Sequence, residues 1–238
     1  MKAMTDNNPV ALITGSSRGI GLVITKHFLK KDYAVIGFSR KPHELQSPMY
    51  NHYEIDVSDA ESVKKAFMSI AKKFGRVDVL VNNASVLTSQ YAMILPPANA
   101  EAMVSINLLG GFNVAREAAR LMSKRKYGRI INISSMAACL EPQGDSMYAA
   151  TKAGSETMTN IFAKELAAHN ITCNSLAVSA FQTDMLDQLP RDKIEAVVAG
   201  LPIPRFACED DILNVIDFFV SDRSSYITAQ TIHLAGVN

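Results

Sequence analysis

Two kinds of segment alternate along the chain. Short β-prone runs, several of them continuously apolar, are separated by longer stretches in which apolar residues recur every three or four positions. The runs Val10–Thr14, Tyr33–Ser39, His52–Asp56, Val77–Asn82, Arg129–Ser134, Ile171–Ala177 and Thr231–Leu234 predict strands. The amphipathic stretches Ile20–Lys31, Asp59–Phe74, Ala100–Lys126, Tyr148–His169, Asp184–Gly200 and Glu209–Val220 predict helices. Strands that are apolar at every position are buried on both faces, which implies a parallel sheet covered by helices. With right-handed crossovers this becomes one α/β domain over residues 1–238, a doubly wound Rossmann-type sheet of about seven parallel strands with helices on both faces. The polar residues 1–9 are expected to be flexible, and no linker, internal repeat or low-complexity tract interrupts the alternation.

Composition narrows the partners. Of the 238 residues 48% are hydrophobic and 20% charged, enough to bury a large core. A formal charge of +1 gives no long-range attraction for nucleic acid or an anionic membrane. The basic run Lys124-Arg125-Lys126 ends a predicted helix, where it complements the negative end of the dipole. Cys139, Cys173 and Cys208 form no C-x-x-C pair, which argues against a zinc site or a disulfide framework. The start of the chain lacks the apolar core of a signal peptide, and no apolar run reaches the length of a membrane span. The expectation is a soluble cytoplasmic protein whose partners are a small molecule or other proteins.

The first predicted strand runs into Gly15-Ser16-Ser17-Arg18-Gly19-Ile20-Gly21, and a helix follows. Glycines let such a turn approach a pyrophosphate, and the helix N-terminus adds N–H donors and partial positive charge. The spacing is G-x-x-x-G-x-G rather than G-x-G-x-x-G, but it stands in the first βα unit, where a dinucleotide fold needs it. NAD-selective sites place Asp or Glu at the tip of the second strand. Here that tip reads Phe38-Ser39-Arg40-Lys41. Arg40 can form a charge-assisted pair with a 2′-phosphate, and Arg18 reaches the same region, so NADP(H) is favoured over NAD(H).

Tyr148-Ala149-Ala150-Thr151-Lys152 places a phenol and an ammonium on one helical face. A nearby cation favours the phenolate, so the Tyr148 pKa is expected to fall towards working pH. Ser135 lies at the C-terminal end of a predicted strand, the edge at which open parallel sheets bind ligands. Ser134 competes with it, but strand alternation lets only one of the two face the site.

From about Val10 onward the chain resembles the short-chain dehydrogenase/reductase family. The motifs that carry the resemblance are Thr14-Gly15-x-x-x-Gly19-x-Gly21, Asp56-Val57, Asn82-Asn83-Ala84, Asn107, Ser135 and Tyr148-x-x-x-Lys152. The resemblance implies catalysis by Asn107, Ser135, Tyr148 and Lys152. Tyr148 exchanges a proton with the carbonyl oxygen, Ser135 hydrogen-bonds that oxygen, Lys152 holds the nicotinamide ribose, and Asn107 positions a water. It further implies that Gly15, Ser17, Arg18, Gly19, Ile20 and Gly21 cradle the cofactor. Asp56 and Val57 would flank its adenine, Asn82 and Ala84 its adenosine side and central ribose, and Thr183 its nicotinamide half. A homotetramer is the implied assembly.

Three departures stand out. Val178-Ser179 replaces the family's usual Pro-Gly after the sixth strand, Ser85 replaces the glycine often found after Asn-Asn-Ala, and the chain ends Leu234-Ala235-Gly236-Val237-Asn238. The first reshapes the nicotinamide pocket.

The relatives that this sequence most resembles are 3-oxoacyl-[acyl-carrier-protein] reductases and other ketoreductases. Residues 183–204 are the expected substrate lid, with Met185, Leu186, Leu189, Ile194, Val197 and Val198 suited either to an apolar substrate or to packing. Lys126, and more weakly His169, are candidate docking bases for a carrier protein. Steroid, sugar or alcohol dehydrogenation is the alternative within the family, and a non-catalytic dinucleotide-binding sensor the alternative outside catalysis.

Overall fold

The computed structural model describes residues 8–41, 45–183, 186 and 191–236. Its elements in chain order are β1 (Val10–Thr14), α1 (Gly19–Lys30), β2 (Ala34–Ser39), β3 (Tyr50–Glu54), α2 (Ala60–Phe74) and β4 (Val79–Asn82). There follow α3 (Pro97–Met103), a π-helical segment Val104–Gly110, α4 (Gly111–Ser123), β5 (Gly128–Ser135), α5 (Ala137–Leu140) and α6 (Ser146–Leu166). The chain ends with β6 (Ile171–Val178), α7 (Arg191–Ala199), α8 (Glu209–Val220) and β7 (Thr231–His233).

Among the described residues seven strands form one sheet in the order β3-β2-β1-β4-β5-β6-β7, every pairing parallel. The winding runs outward from β1 to β3, then restarts beside β1 at β4 and runs to β7. Loops leaving the C-terminal ends of β1 and β4 therefore diverge and open a crevice. Side chains alternate across the sheet. Leu12 of β1 joins one apolar layer with Phe67, Val114, Ala118 and Ala163 of α2, α4 and α6. Its neighbours Ala11 and Ile13 join the other with Ile24 and Phe28 of α1 and Ile212, Ile216 and Phe219 of α8. Each of these side chains except Phe67, at 5%, is 0 to 1% exposed, which is why β1 reads as apolar from Val10 to Ile13.

The opposite edge is pinned by one acid. Asp78 Oδ2 accepts from the Val10 N–H at 2.7 Å and from Arg76 Nε at 2.7 Å, while Oδ1 accepts from Arg76 Nη2 at 2.6 Å. The Asp78 backbone donates to Val10 O and accepts from Arg129 N, so the starts of β1, β4 and β5 share a registration point.

Several elements differ from the sequence-based expectation. The helix expected over Ala100–Lys126 is broken in its middle by the π-helical turn. Gly110 there passes so close to α2's approach that a Cβ would lie 2.6 Å from Val57 Cγ2. Helix α5 was not anticipated, being a single turn inside the segment between Ser135 and Tyr148. Strand β3 is a half-buried polar edge strand, so its limits carry little apolar signal. Of the helix expected over residues 184–200, α7 covers Arg191–Ala199. Met185 and Leu189 lie outside the described residues, as do 1–7 of the N-terminal stretch and 237–238 of the C-terminal one.

Asp78→Ala is expected to cost about 3 kcal/mol, because it leaves a buried N–H and a guanidinium without their acceptor. Urea denaturation showing a midpoint within error of wild type would remove Asp78 as the anchor of this edge.

Candidate active site

At the C-terminal edge of the sheet the loops after β1, β2, β4, β5 and β6 enclose a cavity of about 550 Å³. Its first wall is the turn after β1. Gly15 has φ +67, and a Cβ there would come within 2.8 Å of Asn83 Nδ2. A Cβ on Gly21 would lie 2.1 Å from Gly15 O, so the first turn of α1 is pressed against the loop as only glycine permits. The N-terminus of α1 has no side-chain cap and no acid in its first turn. That leaves N–H groups and dipole available to an anion. Gly15, Ser17, Arg18, Gly19 and Ile20 line the cavity, and Gly21 stands behind them. Thr14 Oγ1 accepts from the N–H groups of Asn83 and Ala84, both at 2.9 Å, and Asn83 Nδ2 donates to Thr14 O at 3.0 Å. These bonds strap the β4 loop to the β1 loop across the crevice.

Arg40 and Lys41 stand exposed on the rim at the tip of β2. Ser39 Oγ, which donates to Lys41 O at 2.7 Å and lies 2.8 Å from His52 Nε2, fixes the backbone that carries them. Among the described residues the acids lining the cavity are Asp56 and Asp145. Asp56 is engaged in its own turn, accepting from Ser58 N and Oγ. Val57 and Ala84 line the cavity. Asn82 does not; its Nδ2 donates to Gly111 O and Asn132 Oδ1, so it packs the sheet against α4. Thr183 faces Gly19, where a Cβ would lie 3.3 Å from the threonine methyl.

The second wall is β5 and α6. Lys152 is 5% and Tyr148 8% exposed, and the ammonium lies 5.6 Å from the phenol ring centroid. Lys152 Nζ donates to Ile133 O at 2.8 Å. The expectation of a lowered Tyr148 pKa is corrected here. Burial raises the phenol, the Ser135 hydroxyl opposes that rise, Asp145 adds to it and Ser85 opposes it. The same burial pushes Lys152 down to about 8, with Glu156 acting the other way. Desolvation disfavours both charged forms and is the largest cause of each shift.

Ser134 and Ser135 separate clearly. Ser134 Oγ donates to the Glu156 carboxylate in a very short contact. Ser135 Oγ accepts from Ala137 N at 3.2 Å and acts on the phenol. Asn107 lies in the π-helical segment, 7% exposed and outside the cavity lining. Its amide accepts from Val86 N at 2.8 Å and donates to Val86 O and Thr151 Oγ1. That side chain clamps the β4 loop to α6. Of the lid positions, Leu186, Ile194 and Val197 line the cavity, while Val198 is buried. Lys126 and His169 directly precede β5 and β6, so within one protomer they stand at the edge of the sheet opposite the cavity. Sequence reasoning named Thr14, Asn83 and Thr151 only as motif positions without a role, and passed over Asp145 and Glu156. Glu156 follows Lys152 by one helical repeat, a spacing that already places it on the same face.

The model of the short chain dehydrogenase family matches residues 9–194, and the chain belongs to that family. It is 34% identical over 236 residues to the 3-oxoacyl-[acyl-carrier-protein] reductase FabG of Thermotoga maritima, covering 95% of this chain and 96% of that one. It is 35% identical to the FabG of Staphylococcus aureus at the same coverage. Among solved structures, a gluconate 5-dehydrogenase from Burkholderia cenocepacia in complex with NADP and tartrate superposes with a TM-score of 0.90 at 28% identity, over 96% of this chain and 94% of that one. The protein ElxO with NADP bound gives 0.87 at 29% identity, over 95% and 97%. No helix among the described residues is long and apolar enough to cross a membrane, and no cluster there of three or more His, Cys, Asp or Glu is placed to hold a metal.

The shifted lysine sets a pH dependence. Its folded pKa of about 8 lies below its ordinary value of 10.5, so between those values the unfolded chain holds a proton that the folded one has lost. Stability from this group therefore rises with pH through that window. Tyr148, raised above 10.0, contributes with the opposite sign only beyond it. From pH 8 to pH 10 wild type is expected to gain on the order of 2 kcal/mol relative to Lys152→Met. Parallel stability curves for the two proteins would show that Lys152 is not desolvated.

Proposed function

We propose that this protein is an NADP(H)-dependent reductase that converts a ketone to a secondary alcohol, or the reverse. The observation that supports it most is the assembly of Ser135, Tyr148 and Lys152 on one cavity with an uncapped, glycine-walled helix N-terminus. A sensor would need the cradle but not the buried phenol and ammonium, so the catalytic reading is preferred to the non-catalytic one.

The residues present fit the cofactor. The turn from Gly15 to Gly21 would hold the pyrophosphate, Asp56, Val57 and Ala84 the adenosine side, Lys152 the nicotinamide ribose, and Thr183 the nicotinamide half. Bound there, the dinucleotide supplies or accepts a hydride. Arg40, with Arg18 nearby, would pair with a 2′-phosphate, and among the described residues no acid stands at the β2 tip to repel it. Two of the solved relatives hold NADP, in keeping with this choice.

Ser135 Oγ and the Tyr148 hydroxyl would both donate to the substrate's carbonyl oxygen. As negative charge builds there, Tyr148 gives up its proton, the carbonyl π bond is lost, and new C–H and O–H bonds complete the alcohol. Below pH 8 Lys152 is protonated, and its charge beside the ring eases formation of the phenolate. Residues 183–204 would form one wall of the substrate site, with Leu186, Ile194 and Val197 facing in.

Relatives named as acyl-carrier-protein-linked reductases and as a gluconate dehydrogenase share a carbonyl–alcohol couple, and that couple is what is proposed here. A cytoplasmic homotetramer is the proposed form. Exposed Leu109, Phe112 and Ile161 on the face of the π-helical segment, α4 and α6 offer apolar surface for assembly.

Consumption of NADPH with a panel of ketones tests the reading, and failure to oxidise NADPH with any of them would overturn it. Arg40→Asp is expected to weaken NADPH binding by about ten- to hundred-fold, the worth of a charge-assisted pair, and to improve NADH binding. Unchanged affinity for both cofactors would reject Arg40 as the phosphate partner.

A further inference from the structure

Six buried side-chain polar atoms among the described residues have no hydrogen-bond partner in the protein, and three of them belong to residues lining the one cavity just described: Ser85 Oγ, Asp145 Oδ1 and Ser179 Oγ. Buried polar atoms are nearly always bonded, so Asp145 Oδ1 and Ser179 Oγ, which have no partner, and Ser85 Oγ, which faces only the Tyr148 phenol, mark groups left for a ligand. They come from three separate elements: the loop after β4, the residue preceding α6, and the end of β6. Asp145 is at the N-cap of α6, yet its side chain caps nothing, so helix formation does not account for it. Two of the three sit near the reacting oxygen. The Ser85 hydroxyl is close enough to the Tyr148 phenol to favour its anion, and the Asp145 carboxylate close enough to oppose it.

We infer that the substrate is an uncharged hydroxyketone: a carbonyl compound bearing at least one free hydroxyl beside the reacting carbonyl, held by the Asp145 carboxylate and the Ser85 and Ser179 hydroxyls. This rests on the reductase reading and sharpens it. A carboxylate accepts and does not donate, so it selects a hydroxyl hydrogen and repels a carboxylate in the same place. The serine hydroxyls both donate and accept, and can satisfy the oxygens of the same hydroxylated chain. A plain acyl chain leaves all three atoms unbonded after water is expelled. Sites built to bond a substrate hydroxyl discriminate strongly against analogues that lack it.

The test compares NADPH oxidation with matched carbonyl compounds: butan-2-one, 3-hydroxybutan-2-one, 2-oxobutanoate and the N-acetylcysteamine thioester of acetoacetate. Wild type is expected to reduce 3-hydroxybutan-2-one with a kcat/KM at least about ten-fold above that for butan-2-one, and above those for the charged and thioester compounds. Asp145→Ala is expected to bring the hydroxyketone-to-ketone ratio towards one, and Ser85→Gly and Ser179→Gly to lower it by smaller factors. A wild-type ratio near one, or preference for the thioester, overturns the inference while leaving the reductase reading in place. Reduction of none of the four overturns both. The wild-type ratio needs no variant to fold, and a ratio unchanged in all three folded variants would also reject these residues as the recognition groups.

Discussion

Placing a phenol and an ammonium side by side out of water is unfavourable for the charged form of each, and the candidate site is organised around that constraint. Burial raises Tyr148 and lowers Lys152 because neither has a full complement of charged partners. Lys152 keeps one strong bond, to Ile133 O, and feels Glu156, which is itself tied to Ser134. Burial thus holds both groups towards their neutral forms: the phenol keeps the proton it would donate, and the lysine releases its own more readily than in water.

The rest of the fold makes that arrangement reproducible. Tyr148 and Lys152 ride on α6, whose buried face packs across β5 and β6, while Thr159 in its middle bonds Ser175 and Asn132 in the sheet. The cofactor side is assembled from loops on either side of the point where strand order reverses. Thr14, Asn83 and Asn107 act as ties between them: Thr14 and Asn83 join the loops after β1 and β4, and Asn107 joins the latter to α6. Asp78 ties the far ends of β1, β4 and β5, so both ends of the central strands are registered by side-chain bonds to backbone.

Much of this was legible in the sequence because the signals were strong where the fold is most buried. The run at Val10 is almost continuously apolar, those at Val77 and Ile171 are rich in aliphatic residues, the helix at Glu209 is sharply amphipathic, and their elements follow closely. The glycine turn and the Tyr148–Lys152 spacing mark chemistry with local patterns. Less legible were features set by distant contacts. Gly110 in the π-helical turn lies hard against Val57, a residue distant in sequence, and β3 is a polar edge strand. The sign of the Tyr148 shift depends on burial, which a pairwise reading of a neighbouring lysine does not contain. In the sequence Ser85 stands out only as a departure from the glycine often found after Asn-Asn-Ala. Only the three-dimensional setting shows its hydroxyl buried and turned to the Tyr148 phenol.

The central claim is that the Tyr148 hydroxyl carries the proton of the reaction. Replacing it with phenylalanine keeps the ring that packs beside Lys152 and deletes the one group in question. Steady-state turnover of Tyr148→Phe with NADPH and a ketone that wild type reduces, alongside NADPH affinity and the thermal unfolding midpoint, isolates that group. The account predicts a loss of about 10²–10⁴-fold in turnover with fold and cofactor affinity kept. A folded, cofactor-binding Tyr148→Phe protein with near wild-type turnover would contradict it.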